Sequence, residues 1–312
     1  MDRTSHALAR NGEEGPAPWG EVVAGSGWCS GTLGELFQGP MERDGKLEIA
    51  IVSLPFGGRS TCRYVLDATA RSPLGDGLEN RPKTGRALEW LVAQHALRLP
   101  AGRWVFASDL EVGKGMASST ADIVAAIRCA GWIAGRRFRA HDVMSILRKV
   151  ERSDSVFLGE AALYLSERHE VVVRFGRSLT YTAAYMVEPG VVDTEAMRDC
   201  LLAHYARHAP EYRHVLDGFL AAAVRRDARL VAEAATQSAR LSQRCLPKRR
   251  FAALHSAMRV LRADGIFVAH TGSVAGYLYV RPPTPEHRAE IAAFFAALGE
   301  SACFDQVGWF DA

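Results

Sequence analysis

The sequence has few cysteines and no long apolar run. Apolar stretches such as Gly265–Ala269 are far shorter than the roughly 20 residues that a membrane-spanning helix needs. The six cysteines include no pair at Cys-x-x-Cys spacing, so the sequence signals neither a zinc site nor a disulfide framework. The first 20 residues lack the apolar block of a secretory signal and contain acidic residues, unlike a transit peptide. We therefore predict a cytoplasmic protein with no membrane segment, and we interpret residues 1–20 as a mobile tail.

The sequence also lacks an excess of one charge sign. Its 38 lysine and arginine residues stand against 35 aspartate and glutamate residues, which gives a net charge of +3. A protein that binds nucleic acid or a membrane surface typically carries a strongly basic face, so we expect neither partner. The densest basic run, Lys248–Arg250, precedes apolar positions at helical spacing. We interpret this run as the solvated start of a helix.

No internal repeat or low-complexity block is present, so helices and strands must be identified one by one. Apolar residues at helical spacing predict helices, and alternating apolar residues predict strands. The predicted helices lie near residues 87–95, 118–133, 143–150 and 286–298 and within 194–258. The predicted strands are 104–110, 161–165, 171–175, 266–269 and 277–280. This mixture predicts an α+β fold, with a first domain over residues 21–184 and a second over residues 185–312.

A glycine-rich loop directly follows the predicted strand at residues 104–110. The loop spans Val112–Thr120, and a helical apolar pattern continues after it, with Ser118 or Ser119 as the expected N-cap. Small residues let the main chain curl around phosphate groups, and the amides at a helix start favour anions. Lys114 adds a point charge. The loop does not match the Walker pattern, and a purely structural strand-to-helix connection is the alternative interpretation.

The full loop sequence resembles the Gly-Leu-Gly-Ser-Ser-Ala loop of the GHMP kinases, the superfamily of galactokinase, homoserine kinase, mevalonate kinase and phosphomevalonate kinase. The resemblance implies a two-domain fold, with an N-terminal ribosomal-S5-like α+β domain and a C-terminal helical, ferredoxin-like α+β domain. It also implies that the loop binds ATP, with Lys114 as a candidate catalytic cation. The residues that it assigns to the nucleotide site are Gly113, Lys114, Gly115, Met116, Ala117, Ser118, Ser119 and Thr120.

An amino-terminal segment, Ser30–Gly39, resembles the first motif of the superfamily, which ends in Gly-Glu and helps to form the acceptor pocket. Glu35 and Gln38 are therefore candidate substrate contacts, and solvated loop residues are the alternative. Cys29 stands where the superfamily usually has a basic residue. A lysine-assisted mechanism like that of mevalonate kinase is accordingly not expected.

A carboxyl-terminal segment, Ala269–Gly276, resembles the third motif, a glycine-rich turn that closes over the phosphates and the substrate. A tight hairpin is the alternative interpretation. We interpret His270 as a hydrogen-bonded residue next to the substrate rather than as a base. The substrate contacts that the resemblance assigns here are His270, Thr271, Gly272 and Ser273.

Two acidic residues, Glu151 and Asp154, follow the predicted helix at residues 143–150. Phosphoryl transfer requires positioning, charge neutralisation by magnesium and, in some enzymes, a base near the attacking hydroxyl. The segment resembles the Glu-Gly-His-Pro-Asp-Asn stretch of homoserine kinases. The resemblance implies that Glu151 and Ser119 hold Mg²⁺, and that Asp154 contacts the acceptor and serves as the base. An ordinary charged helix end with Arg152 is the alternative.

Within the superfamily, the motifs are most similar to those of the L-threonine kinases of cobalamin synthesis and salvage. The segments that carry this likeness are Gly34–Gly39, Gly113–Ile123, Glu151–Phe157 and His270–Val274. The likeness implies that the γ-phosphate of ATP is transferred to the hydroxyl of L-threonine, a small-molecule substrate.

Several alternatives stay open. The sequence does not reveal which residues would bind the carboxylate and ammonium of a free amino acid, so homoserine, serine or a natural-product intermediate are alternative acceptors. A non-catalytic sensor with the same fold is another hypothesis, which the presence of Ser119, Glu151 and Asp154 disfavours. A homodimer is the assembly that we keep as an expectation.

Overall fold

The computed structural model of the chain describes residues 22–70, 72–177, 179–190 and 197–309. The predicted tail at residues 1–20 lies outside them. Within the described ranges, every helix is too short or too polar to cross a lipid bilayer.

The chain begins with a long β-hairpin that the sequence patterns did not predict. Strands β1 (Val23–Arg43) and β2 (Lys46–Leu66) pair antiparallel along most of their length. Asp44 and Gly45 connect them, with φ angles of 51° and 71°. An Asp-Gly pair with positive φ at both positions is the preferred two-residue hairpin turn, because its twist matches that of the strands.

All nine strands lie in one sheet, and every strand pair among the described residues is antiparallel. The order in the sheet is β1-β7-β8-β6-β9-β2-β4-β5, with β3 also paired to β2. The remaining strands are β3 (Gly102–Ser108), β4 (Ala161–Leu165), β5 (Glu170–Gly176), β6 (Thr180–Val187), β7 (Gly265–Val268), β8 (Val274–Tyr279) and β9 (Cys303–Gly308).

The described residues contain seven helices. They are α1 (Pro82–His95), α2 (Ser118–Ile133), α3 (Ala140–Leu147), α4 (Arg198–Val224), α5 (Ala228–Ser242), α6 (Phe251–Ala257) and α7 (Pro285–Ala297). Helix α2 packs against β1 and β2, and α4 and α5 also contact β1. The central part of β1 is therefore buried on both faces.

The hydrophobic core has two clusters. The larger one contains residues from both halves of the chain, and the smaller one lies entirely within residues 184–304. The predicted domain boundary at residues 184/185 falls inside β6, which pairs with β8 and β9. The α+β class is confirmed by this mixture of helices and antiparallel strands, whereas the division into two domains stays a prediction.

Candidate active site

The three motif segments meet through close main-chain contacts. An added Cβ on Gly115 of the loop would lie 2.6 Å from Cα of Gly272 in the turn between β7 and β8. An added Cβ on Gly34 of β1 would lie 2.6 Å from the amide nitrogen of Ala269. The amide of Ser273 also donates a hydrogen bond to the Lys114 carbonyl over 3.0 Å. Only glycine permits these approaches, and they bring segments far apart in sequence into one site.

The loop before α2 has an alternating backbone conformation. Gly113, Gly115 and Ala117 have φ angles of 75°, 79° and 56°. Alternation of left-handed residues with other conformations turns amide groups toward one concave side, which suits an anion. The expected N-cap at Ser118 or Ser119 is wrong, because Ala117 is the N-cap and no side chain caps the helix. The first amides of α2 therefore have no side-chain cap.

A cleft of about 600 Å³ opens beside this loop. Most of the predicted site residues line it, while Lys114, His270, Gly272 and Ser273 do not. Those that line it are Glu35, Gln38, Gly113, Gly115, Met116, Ala117, Ser118, Ser119, Thr120, Glu151, Asp154 and Thr271.

The start of α2 holds the carboxylate of Glu151. Ser119 Oγ donates to Glu151 Oε2 over 2.8 Å, and Thr120 Oγ1 donates to Oε1 over 3.0 Å. Lys83 Nζ lies 2.9 Å from Oε2. Ser119 and Glu151, the predicted magnesium ligands, are thus in direct contact, and a hydroxyl at each oxygen and one cation fix the orientation of the Glu151 carboxylate.

Asp154 has a different environment on the same cleft wall. Ser53 Oγ of β2 donates to Asp154 Oδ1 over 3.3 Å. Burial and the nearby negative charge of Glu35 raise the pKa of Asp154 to about 7, against the lowering effect of the positive charge of Arg152. A carboxyl with a pKa near neutrality can take up or release a proton at physiological pH.

Glu35 and Gln38 project from β1 and are buried. Both the amide and Nδ1 of His270 lie 2.9 Å from Glu35 Oε2. Gln38 Nε2 donates to the Tyr205 hydroxyl over 2.9 Å. His270 Nε2 lies 3.1 Å from Ser238 Oγ, so both ring nitrogens of His270 are occupied. His270 therefore orients Glu35, in agreement with its interpretation as a hydrogen-bonded structural residue.

Lys114 is not brought into the cleft. Its ammonium donates to the carbonyls of Glu188 and Gly190 over 3.0 and 2.8 Å. These two bonds anchor the loop to the chain after β6. The ammonium of Lys114 therefore has main-chain partners outside the cleft, and its predicted role as a point charge at the phosphates stays a prediction.

The interpretation of Lys248–Arg250 as a solvated helix start is wrong for Lys248. This side chain is buried, and Nζ donates to the carbonyls of His270 and Gly272 over 3.1 and 2.6 Å. Desolvation lowers the pKa of Lys248 to about 8, although Glu35 and Glu188 favour its charged form. Lys248 thus holds the third motif in place, and Arg249 remains exposed.

Sequence reasoning missed three of these residues. Ser53 is a polar residue within the apolar run at the centre of β2. A hydroxyl in an otherwise apolar strand is a pattern that could have marked Ser53 as a candidate site residue. Lys83 follows the proline that starts α1, and no sequence motif marks it. Lys248 was noticed only as part of a charge run. Each owes its role to a contact with a distant part of the chain.

The chain is similar to known kinases in sequence and in fold. The family model for the GHMP kinases N terminal domain matches residues 84–159. An L-threonine kinase of Citrobacter freundii is 28% identical over 264 residues, covering 81% of this chain and 85% of that protein. The mevalonate kinase of L. major in complex with R-mevalonate has a TM-score of 0.63 at 13% identity, covering 95% and 98% of the two chains. The homoserine kinase of Cytophaga hutchinsonii has a TM-score of 0.59 at 11% identity, covering 94% and 98%. The predicted resemblance and fold are confirmed.

Proposed function

We propose that this chain, which has the fold of the GHMP kinases, is an ATP-dependent small-molecule kinase and that it phosphorylates the side-chain hydroxyl of L-threonine to give O-phospho-L-threonine. The observation that carries the proposal is the juxtaposition, in one cleft, of a helix-start loop suited to phosphate and a carboxyl whose pKa is near 7. The L-threonine kinase relative supports threonine as the amino acid, because the similarity extends over most of both chains.

The loop and the start of α2 would hold the triphosphate of ATP. Amides of this loop and the first turn of the helix favour the negative charge of the phosphates. Ser118 and Ser119 add hydroxyl groups on the cleft side. We give Lys114 no part in the chemical step, because its ammonium is bound to two carbonyls outside the cleft. Its contribution is to fix the loop.

Glu151 and Ser119 would hold Mg²⁺ when it is bound. Their residue types fit this ion, which takes one or two carboxylates and fills its remaining positions with phosphate oxygens and water. In the described ranges, no cluster of three or more His, Cys, Asp or Glu side chains could hold a metal. The ion would therefore depend on the phosphates of ATP for affinity, and it would share the Glu151 carboxylate with Lys83.

Asp154 would accept the proton of the threonine hydroxyl as the oxygen forms its bond to the γ-phosphorus. The bond between the γ-phosphorus and the β,γ-bridging oxygen of ATP breaks in the same step, ADP departs with that oxygen, and the proton stays on the Asp154 carboxyl. Ser53 holds one oxygen of Asp154, which leaves the other available to the acceptor. Much of the rate would still come from positioning and charge neutralisation, because the transition state of phosphoryl transfer is largely dissociative.

ADP release measured with Mg-ATP and a panel of L-threonine, L-serine, L-homoserine and simple alcohols tests this proposal. We expect the highest kcat/KM with L-threonine and little release without an acceptor. Asp154→Asn should abolish most of the turnover, and Ser119→Ala should require a higher Mg²⁺ concentration. Absence of turnover with every hydroxylated amino acid would overturn the assignment and would favour the sensor hypothesis.

A further inference from the structure

Five cationic side chains line the cleft, and four of them have partners within the part of the chain that the structure describes. Lys83 pairs with Glu151, and Arg198 makes a bidentate contact with Glu167 over 2.7 and 2.8 Å. Arg148 donates to the Arg168 carbonyl, and Lys149 lies over the Trp90 ring. The five cations are Lys83, Arg148, Lys149, Arg152 and Arg198. Arg152 is the one of these five that has no such partner among the described residues.

Arg152 forms no hydrogen bond and no ion pair with any described residue, although its side chain is only partly exposed. A guanidinium that is partly removed from water incurs a desolvation cost. The charges of Asp154 and Glu167 act on Arg152 without a direct contact, so its hydrogen-bond donors stay unused among the described residues. Arg152 lies two positions before Asp154 and between two residues assigned to chemistry. The Arg152 guanidinium is therefore available to bind an anionic group of a ligand.

The surroundings of Arg152 point to the acceptor rather than to ATP. Its charge acts on Asp154, on Glu167 and on the Tyr205 hydroxyl. Tyr205 lies on α4, where it binds Gln38, and Glu167 follows β4. Asp154 and Glu167 line the cleft, and the buried Tyr205 lies behind the cleft residue Gln38. The charge of Arg152 therefore acts on Asp154, the group beside which an acceptor would bind.

We propose that the guanidinium of Arg152 binds the α-carboxylate of the acceptor amino acid and thereby holds its side-chain hydroxyl beside Asp154. This inference rests on the proposed function and adds the group that selects amino acids over simple alcohols. A guanidinium suits the task because its planar fork matches the two oxygens of a carboxylate. Lysine in this position would supply the positive charge but not the planar pair of hydrogen-bond donors.

The test compares L-threonine with L-threoninamide, which has the same hydroxyl and nearly the same size but no negative charge. Steady-state KM and kcat for both acceptors and for ATP would be measured for the wild type, Arg152→Gln and Arg152→Lys. Arg259→Gln removes an exposed arginine outside the cleft and serves as the matched control. Thermal unfolding of each variant checks that the fold is kept.

We expect Arg152→Gln to raise the KM for L-threonine on the order of ten- to a hundred-fold, the loss of a charge-assisted pair, with the KM for ATP unchanged. Arg152→Lys should lie between the wild type and the Gln variant. The kcat/KM for L-threoninamide should be low in the wild type and the same in Arg152→Gln. The Arg259→Gln control should behave as the wild type.

Several outcomes would overturn the inference. A higher KM for ATP with an unchanged KM for L-threonine would assign Arg152 to the phosphates. Equal use of threonine and threoninamide by the wild type would exclude carboxylate recognition, and this arm needs no variant to fold. Turnover of L-threonine that is insensitive to Arg152→Gln would leave the proposed function intact and remove Arg152 from it. Absence of turnover with any amino acid would overturn both.

Discussion

At the scale of single residues, the cleft contains carboxyl groups that differ in their surroundings. Glu151 has a hydroxyl at each oxygen and a lysine beside it. Asp154 has one hydroxyl partner and a neighbouring carboxyl, Glu35, which opposes its ionisation. Two carboxyls with different environments can have two roles, a charged ligand and a proton acceptor, and such a separation is typical of acid–base sites.

The first prediction concerns the pH dependence of turnover. Because the pKa of Asp154 is raised to about 7, its ionised, proton-accepting form is gained as the pH rises through that value. We expect kcat/KM for L-threonine to rise between pH 6 and pH 8 with a midpoint near 7. In Asp154→Asn this rise should vanish, and the rate should fall about 10²- to 10⁴-fold. A variant with wild-type turnover or an unchanged pH profile would remove Asp154 from the proton transfer.

The second prediction follows from the same group but concerns stability. The folded-state pKa of Asp154 is about 7 and its ordinary value is 3.8, so the folded state keeps the proton where the unfolded chain has lost it. Stability contributed by this group therefore falls as the pH rises from about 4 to about 7. Asp154→Asn should remove the penalty and raise the free energy of unfolding at pH 8 by a few kcal/mol, since one pKa unit is about 1.4 kcal/mol.

Urea unfolding at pH 4 and pH 8 measures this difference. At pH 4 the variant and the wild type should be nearly equal, because Asp154 is protonated in most folded and many unfolded molecules. Asp217→Asn, at an exposed position on α4, is the matched control and should show no pH-dependent gain. A loss of stability at pH 8 in Asp154→Asn would contradict a raised pKa.

At the scale of elements, the glycine loop and the turn between β7 and β8 behave as one unit. Gly115 has a left-handed φ of 79°, and an added Cβ would meet the backbone of Gly272 at 2.6 Å. Gly115→Ala should therefore push the loop off the turn. We expect a destabilisation of about 1–3 kcal/mol from backbone strain and at least tenfold weaker binding of a non-hydrolysable ATP analogue, measured by calorimetry.

The matched control for this substitution lies two residues further along the loop. Ala117 is also left-handed, with a φ of 56°, but it carries a side chain already. Ala117→Gly should change the free energy of unfolding by less than about 1 kcal/mol, because relief of strain offsets the greater freedom of glycine in the unfolded chain. If Gly115→Ala bound the analogue as tightly as Ala117→Gly, the packing of the loop on the turn would not matter for nucleotide binding.

A second element-scale prediction concerns the buried lysine under the turn. Lys248→Met keeps most of the apolar stem but leaves the carbonyls of His270 and Gly272 without their donor. We expect a loss of about 1–3 kcal/mol in the free energy of unfolding, the usual cost of unpaired buried polar groups. Arg249→Met changes the exposed neighbour and should be nearly neutral. Equal effects of the two substitutions in urea unfolding would argue against a structural role for the Lys248 ammonium.

At the scale of the whole molecule, the sequence predicted what depends on local pattern. Strand β4, the helix after the loop and helix α7 agree with the predicted elements within a residue or two. The β1–β2 hairpin escaped prediction because the centre of β1 is buried on both faces, so its residues show no alternation. Strand β6 was not predicted either, and it pairs with β8 and β9, which follow it by about 90 and 120 positions.

In the site, too, features encoded by a short motif could be predicted, whereas contacts between distant segments could not. The loop and the Ser119–Glu151 pair could be predicted from motif resemblance. The contact of Ser53 with Asp154 spans 101 positions, and that of Lys248 with Gly272 spans 24. No short motif encodes these contacts, because tertiary packing alone brings the partners together. The hydrogen bonds from Lys114 to the carbonyls of Glu188 and Gly190 could not be predicted from the sequence either, because they depend on the path of the chain after β6.

Transfer of the γ-phosphoryl group of ATP to an amino-acid hydroxyl, with threonine preferred, is the function proposed for this cleft. The most direct measurement is a competition in which the wild type receives Mg-ATP with equal concentrations of L-threonine, L-homoserine and L-serine, and mass spectrometry quantifies the products. The ratio of products reports the ratio of kcat/KM values. We expect O-phospho-L-threonine as the main product, with its formation lost in Asp154→Asn. Phosphorylation of none of the three amino acids, or equal amounts of product in the Asp154→Asn reaction, would contradict it.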